Sequence, residues 1–278
     1  GRYYSQRASA LAGSPPATTA PAADPAITDE ERAAANRWLA TWAQDAASGV
    51  APTPVEPGPD VRSGDLLVRL GKHEAALSEY REAVAAAETR PAHLYALAHY
   101  LHGKGEYWVS IQAASRLWEL APVRSPAELP SGVLKLLYPA PYWGLVQKAS
   151  NAHNVDPLLL LALMRQESRF TPWVGSGAGA LGLTQVMPAT GEDIARSLGR
   201  SGFGRDDLFR PNVSIEFGAF YLARQLAALG GRPEFALAAY NGGAGNALRW
   251  MNRDRNIDPD LFVESIDFDE TALYVRTV

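Results

Sequence analysis

The sequence has 278 residues, 47% hydrophobic and 20% charged, which is enough chain for a sizeable core in one large domain or two modest ones. A formal net charge of −4 leaves no basic footprint for nucleic acid, and the longest apolar run, Leu158–Met164, is far too short to span a membrane. The absence of cysteine excludes a disulfide framework, a thiol nucleophile and a cysteine-ligated metal.

Position 1 is Gly with no charged-then-apolar leader behind it, so the chain reads as processed or as a piece of something longer. Prolines cluster in Pro15–Pro25 and Pro52–Pro59, which read as extended connectors. Between them, Thr28-Asp29-Glu30-Glu31 has capping-box form and predicts a helix to about Ala47, with Trp38 and Trp42 on one face. From about Val61 to Leu120 the pattern is helical and nearly repeats. Gly71 and Gly105 mark similar turns 34 residues apart, a period of tetratricopeptide-type hairpins. Pro122–Pro141 reads as a connector into the second half.

Beyond it, helices are predicted at Tyr142–Ala152, Asp156–Arg169, Thr190–Leu198, Ser214–Leu229, Pro233–Tyr240 and Gly245–Asn252. Strand-like alternation is nearly absent. The expected class is all-α.

Several patterns carry chemistry or imitate it. Leu158–Met164 is apolar on every side, which predicts a buried helix. Its last turn bears Glu167, in register with Leu160 and Leu163. A carboxyl on so apolar a face has its neutral form favoured, which is what a general acid needs; a helix-end charge pairing with Arg165 or Arg169 is the plainer alternative. Gly177, Gly179 and Gly182 spell GxGxxG, but a helix rather than a strand precedes them, so a close-approach loop is the better reading than a nucleotide site. Gln185 and Met187 follow on that loop. Tyr240-Asn241 ends a helix before two glycines, either as a ligand-facing pair or as a plain C-cap. Asp254–Pro259 imitates a calcium loop but has Pro259 where Gly is needed and Ser265 where Glu is needed. The five histidines show no HExxH arrangement, and Val174 before Gly175-Ser176 rules out a GxSxG elbow.

Taken in order, Tyr138-Pro139…Tyr142-Trp143, Ala162–Phe170, Gly179–Gly191, Ala238–Gly243, Glu264-Ser-Ile266 and Glu270-Thr271…Tyr274-Val275 resemble the motifs of soluble lytic transglycosylases, glycoside hydrolase family 23. Two positions depart from the family pattern: its usual Met is Thr184 here, and its usual Pro after Ser-Ile is Asp267. The resemblance implies a lysozyme-like α-helical catalytic domain over 131–278, behind tetratricopeptide-like hairpins at 61–130 and a helical segment with Pro-rich linkers at 1–60. It also implies Glu167 as sole acid/base, with Ser176, Gln185, Met187, Tyr240, Asn241 and Glu270 on the substrate side. The implied reaction cleaves the β-1,4 bond between N-acetylmuramic acid and N-acetylglucosamine, leaves a 1,6-anhydro sugar, and uses no metal or organic cofactor. Peptidoglycan strands would be the partner, in the periplasm or cell envelope, with the hairpins as a surface for protein partners. The rival expectations are a lysozyme-like hydrolase and a non-catalytic peptidoglycan-binding scaffold.

Overall fold

The computed structural model describes residues 26–45, 58–251 and 256–278. Pro15–Pro25, most of Pro52–Pro59, the end of the segment predicted to reach Ala47, Asn252 and the start of Asp254–Pro259 lie outside them. Among the described residues all regular structure is helical, as the periodicity predicts. There is no strand, only two single bridges, Gly175 with Leu181 and Leu181 with Val186. The described residues up to Pro141 form one compact unit and Tyr142–Val278 a second.

In the first unit, α1 (Asp29–Ala40) begins with the predicted capping box. The Thr28 hydroxyl accepts from the Glu31 N–H at 3.2 Å, and the Glu31 carboxylate accepts from the Thr28 N–H at 2.9 Å. Trp38 and Trp42 stack edge to face at 5.2 Å. Two hairpins follow. In each, α2 (Pro59–Arg69) against α3 (His73–Ala86) and α4 (Pro91–Gly103) against α5 (Tyr107–Leu120), the chain turns at the glycine that the repeat singled out. Gly71 and Gly105 have φ of 70° and 81°, values that a side chain would disfavour. Pro59 and Pro91 each open a helix at its first turn, so Pro59 starts α2 instead of ending a connector.

Helix α6 (Ser131–Leu137) was hidden in the stretch read as connector. Its buried Val133, Leu136 and Leu137 belong to the same apolar cluster as Leu39, Leu94 and Leu117, and Lys135 pairs with Glu31 at 2.7 Å. Its apolar face therefore finds partners upstream, and the two compact units divide at Pro141–Tyr142, beyond the domain border expected at 130–131.

A polar knot ties this unit across its helices. The Asp65 carboxylate on α2 accepts from Tyr80 of α3 at 2.8 Å, from Tyr100 of α4 at 2.5 Å and from Lys104 at 3.0 Å.

The second unit contains α7 (Trp143–His153), α8 (Pro157–Ser168), α9 (Pro188–Ser197), α10 (Pro211–Ala228), α11 (Pro233–Gly242), α12 (Ala244–Trp250), α13 (Pro259–Ser265) and α14 (Asp269–Thr277). Helices α9 and α10 begin a little before the expected residues because Pro188 and Pro211 occupy their first turns. The central helix is α11: Phe235–Ala239 are buried, and it packs on α10, α12, α13 and α14. The last two helices were not among those read from periodicity. Asp258, part of the calcium-loop imitation, is the N-cap of α13, accepting from Asp260 N–H at 2.9 Å and Leu261 N–H at 3.3 Å. No helix among the described residues is long and apolar enough to cross a membrane.

Candidate active site

The site is built outward from α8. Asp156 caps its start by accepting from Leu158 N–H at 2.7 Å, and Pro157 occupies the first helical position. Leu160 and Leu163 are fully buried, two turns and one turn ahead of Glu167 respectively. The helix stops abruptly, because Arg169 and Phe170 are both left-handed, with φ of 53° and 64°. Such consecutive strain in residues other than glycine persists only where surrounding structure enforces it. Here Phe170 is buried, and the buried Ser168 hydroxyl lies 2.8 Å from Leu183 O, binding the end of α8 to the following loop.

Glu167 is left partly buried on the last turn. Burial pushes its carboxyl up to about 7, from an ordinary 4.5. The Tyr274 hydroxyl of α14 donates to Glu167 Oε1 at 2.6 Å and pulls the other way, while the nearby negative charge of Glu270 raises the carboxyl further. Burial wins. Glu167 is therefore poised to exchange a proton near neutrality, the requirement for acid/base work at that pH. Both tyrosines next to it, Tyr274 and Tyr240, are held well above the usual phenol range, first by burial and then by the Glu167 charge, so they remain donors.

Tyr240, on α11, is clamped in place. Its hydroxyl donates to Thr184 O at 2.8 Å, and its ring meets Tyr221 edge to face at 5.1 Å. The neighbouring Asn241 accepts through Oδ1 from the Thr271 hydroxyl at 2.6 Å, linking α11 to α14. Glu270 is exposed at the start of α14, one turn before Tyr274.

The glycine-rich loop supplies the remaining expected residues. Gly182 has φ of 77°, and a Cβ there would lie 2.0 Å from Leu208 O, so only glycine fits. Gln185 is itself left-handed, with φ of 48°. Its amide NH₂ donates to Gly182 O at 2.8 Å and Val174 O at 3.1 Å, closing the loop on itself. The Ser176 hydroxyl accepts from Ala180 N–H at 3.0 Å. Ser176 and Met187 are exposed at the two ends of the loop.

Tyr240 and Glu270 are thus each brought within electrostatic reach of Glu167, with Asn241 beside Tyr240 and Gln185 beside the carbonyl that holds it. Sequence reading quoted Tyr274 only as part of a motif and gave it no role. The one available signal was its place one turn after Glu270. Asp267 accepts two bonds from Arg249, at 2.6 and 2.9 Å, and one from the Trp250 indole at 2.6 Å, which anchors the chain just before α14. Among the described residues no group of three His, Asp or Glu side chains is arranged to hold a metal.

Residues 144–263 match the transglycosylase SLT domain family. The chain is 44% identical over 124 residues to membrane-bound lytic murein transglycosylase C of Sodalis glossinidius, which covers 41% of this chain and 35% of that protein. It is 32% identical over 186 residues to soluble lytic murein transglycosylase of Salmonella typhimurium, covering 66% of this chain and 27% of the relative. The chain therefore spans about a third of the length of these curated relatives. The crystal structure of an inactive mutant of lytic transglycosylase Slt from Pseudomonas aeruginosa superposes with a TM-score of 0.70 at 23% identity, covering 99% of this chain and 39% of that one.

Proposed function

We propose that this chain, whose residues 144–263 form a transglycosylase SLT domain, is a peptidoglycan lytic transglycosylase with Glu167 as its single acid/base. The observation that carries this reading is a carboxyl raised to about 7 whose Oε1 is occupied by the Tyr274 hydroxyl. With Oε1 accepting, the transferable proton sits on Oε2. Glu167 gives that proton to the oxygen of the β-1,4 bond between N-acetylmuramic acid and N-acetylglucosamine, and positive charge develops at C1. Now ionised, the carboxylate takes the proton of the sugar's own C6 hydroxyl as that oxygen attacks C1, which closes a 1,6-anhydro ring. Tethering the nucleophile gives an effective concentration on the order of 10⁵ M or more, so no second carboxylate is needed to activate water.

In this reading Tyr240, Asn241, Glu270, Ser176 and Met187 face the glycan, and Gln185 keeps the loop in shape beside it. The relatives named for action on murein support the cell wall as substrate and the periplasm or envelope as the place of work. The hairpins of the first unit, tetratricopeptide-like in period, are assigned to organising the protein or its partners and not to bond cleavage.

Digestion of purified sacculi followed by mass spectrometry tests the proposal. The wild type is expected to release 1,6-anhydro-muropeptides, and Glu167→Gln to lose about a thousandfold or more, the upper range for a general acid. One observation favours a second reading: Glu270 places a second carboxylate near the acid, which is what a hydrolase uses to recruit water. Reducing-end products would establish that reading. Binding to sacculi with no release would leave a scaffold.

A further inference from the structure

We propose that Thr184 and Ser214 act as a buried positioning pair that fixes Tyr240 against Glu167, an inference that rests on the reading of Glu167 as the acid. The two side chains are almost wholly buried, at 0% and 1% exposure. The Thr184 hydroxyl donates to Ser214 O at 2.7 Å, and the Thr184 N–H donates to Ser214 Oγ at 3.2 Å. One turn further along α10, Gly218 makes room for the threonine: a Cβ there would lie 2.4 Å from Thr184 Cγ2. Helix backbone and loop side chain are therefore in direct contact.

What this contact holds is the Thr184 carbonyl, the acceptor for the Tyr240 hydroxyl. The flanking residues bind elsewhere. Leu183 O accepts from Ser168, next to Glu167, and Gln185 folds back on Gly182 and Val174. Three consecutive residues thus connect α8, α10 and α11. Of these ties, only the one to α10 depends on a side chain of the loop that points into the core. A thioether at position 184 would have no donor for the Ser214 carbonyl, so the polar pairing depends on the threonine hydroxyl. The consequence for the acid follows from where the Tyr240 hydroxyl points. Held on Thr184 O, it cannot turn toward Glu167 and stabilise the carboxylate. Released, it can do so or admit water that does, and either favours the ionised form.

The test uses the full chain with Thr184→Val, which keeps the shape and removes the donor, and with Thr184→Ser, which keeps the donor. Thr184→Val is expected to lower kcat on sacculi about tenfold with KM nearly unchanged, the signature of misplacement and not of lost binding. The basic limb of its pH profile should move down by about half a unit, and the Glu167 titration followed by ¹³C carboxyl NMR should move with it. Thr184→Ser should keep the wild-type limb. Ser214→Ala, a smaller perturbation that removes the acceptor for Thr184 N–H and the 3.2 Å contact with the Thr184 hydroxyl but leaves the bond to Ser214 O, should shift both readouts in the same direction by less, and it decides the matter if Thr184→Val does not fold. A wild-type limb and a wild-type Glu167 titration in Thr184→Val, or in Ser214→Ala where the valine variant is unfolded, would overturn the pair. If the wild type releases nothing from sacculi, the reading of Glu167 as acid falls, and the carboxyl titration alone then decides the pair.

Discussion

Each unit of the molecule contains a sheltered carboxyl that accepts a tyrosine hydroxyl, yet the two are shifted in opposite directions. Asp65 receives Tyr100, Tyr80 and Lys104; burial alone would raise it, but these three donors together hold it below the usual carboxylate range. Among the described residues Glu167 receives Tyr274 alone, and burial with the Glu270 charge keeps it near 7. The surroundings differ chiefly in the number of donors aimed at the oxygens. A carboxylate with its lone pairs filled becomes a structural rivet, whereas one with a single donor keeps a proton to give away.

The comparison can be broken or sharpened in three ways. The largest effect is expected in the first unit. Asp65→Ala strands three donors at once and should cost about 3 kcal/mol of stability in urea or calorimetric unfolding. Because its folded value is depressed, the contribution of Asp65 is fully present above the ordinary 3.8 and fades as pH falls through the lower folded value. Wild type and variant should therefore converge in acid; an undiminished gap at low pH would mean that packing, not charge, holds the knot. In the second unit Tyr274→Phe removes the donor that favours the ionised acid. The basic limb of activity should then move up by about one unit, along with the Glu167 titration. A downward shift would show that water has replaced the phenol. The smallest effect is expected from Glu270→Gln. Without the neighbouring charge the limb should move down by about a few tenths of a unit, more at low salt, as for an exposed charge acting through solvent.

Legibility in the sequence followed the range of the forces involved. Helix starts could be read because their signals are local: the Thr28 and Glu31 box, the Asp156-Pro157 cap, and the glycines at 71 and 105. Glu167 stood out because seven apolar residues ahead of it announce burial. Helix α6 was masked by the prolines around it, since what stabilises so short a helix is the upstream core and not its own propensity. The roles of Tyr274 and Thr184 were illegible for a related reason. Their partners, Glu167 and Ser214, are 107 and 30 residues away, and no periodicity links them. The departure at Thr184 is in the fold a fully buried hydrogen-bonding centre. The other departure, Asp267, is an anchor for Arg249 and Trp250.

The separation between Glu167 and Tyr274 also bears on when the surroundings of this carboxyl are complete. The acid is laid down in the middle of the chain, but the phenol that leaves its proton on one chosen oxygen arrives only with α14. A partly synthesised or partly threaded polypeptide would carry the carboxyl without that partner. The filling of Glu167 Oε1 is thus coupled to completion of the second unit's fold.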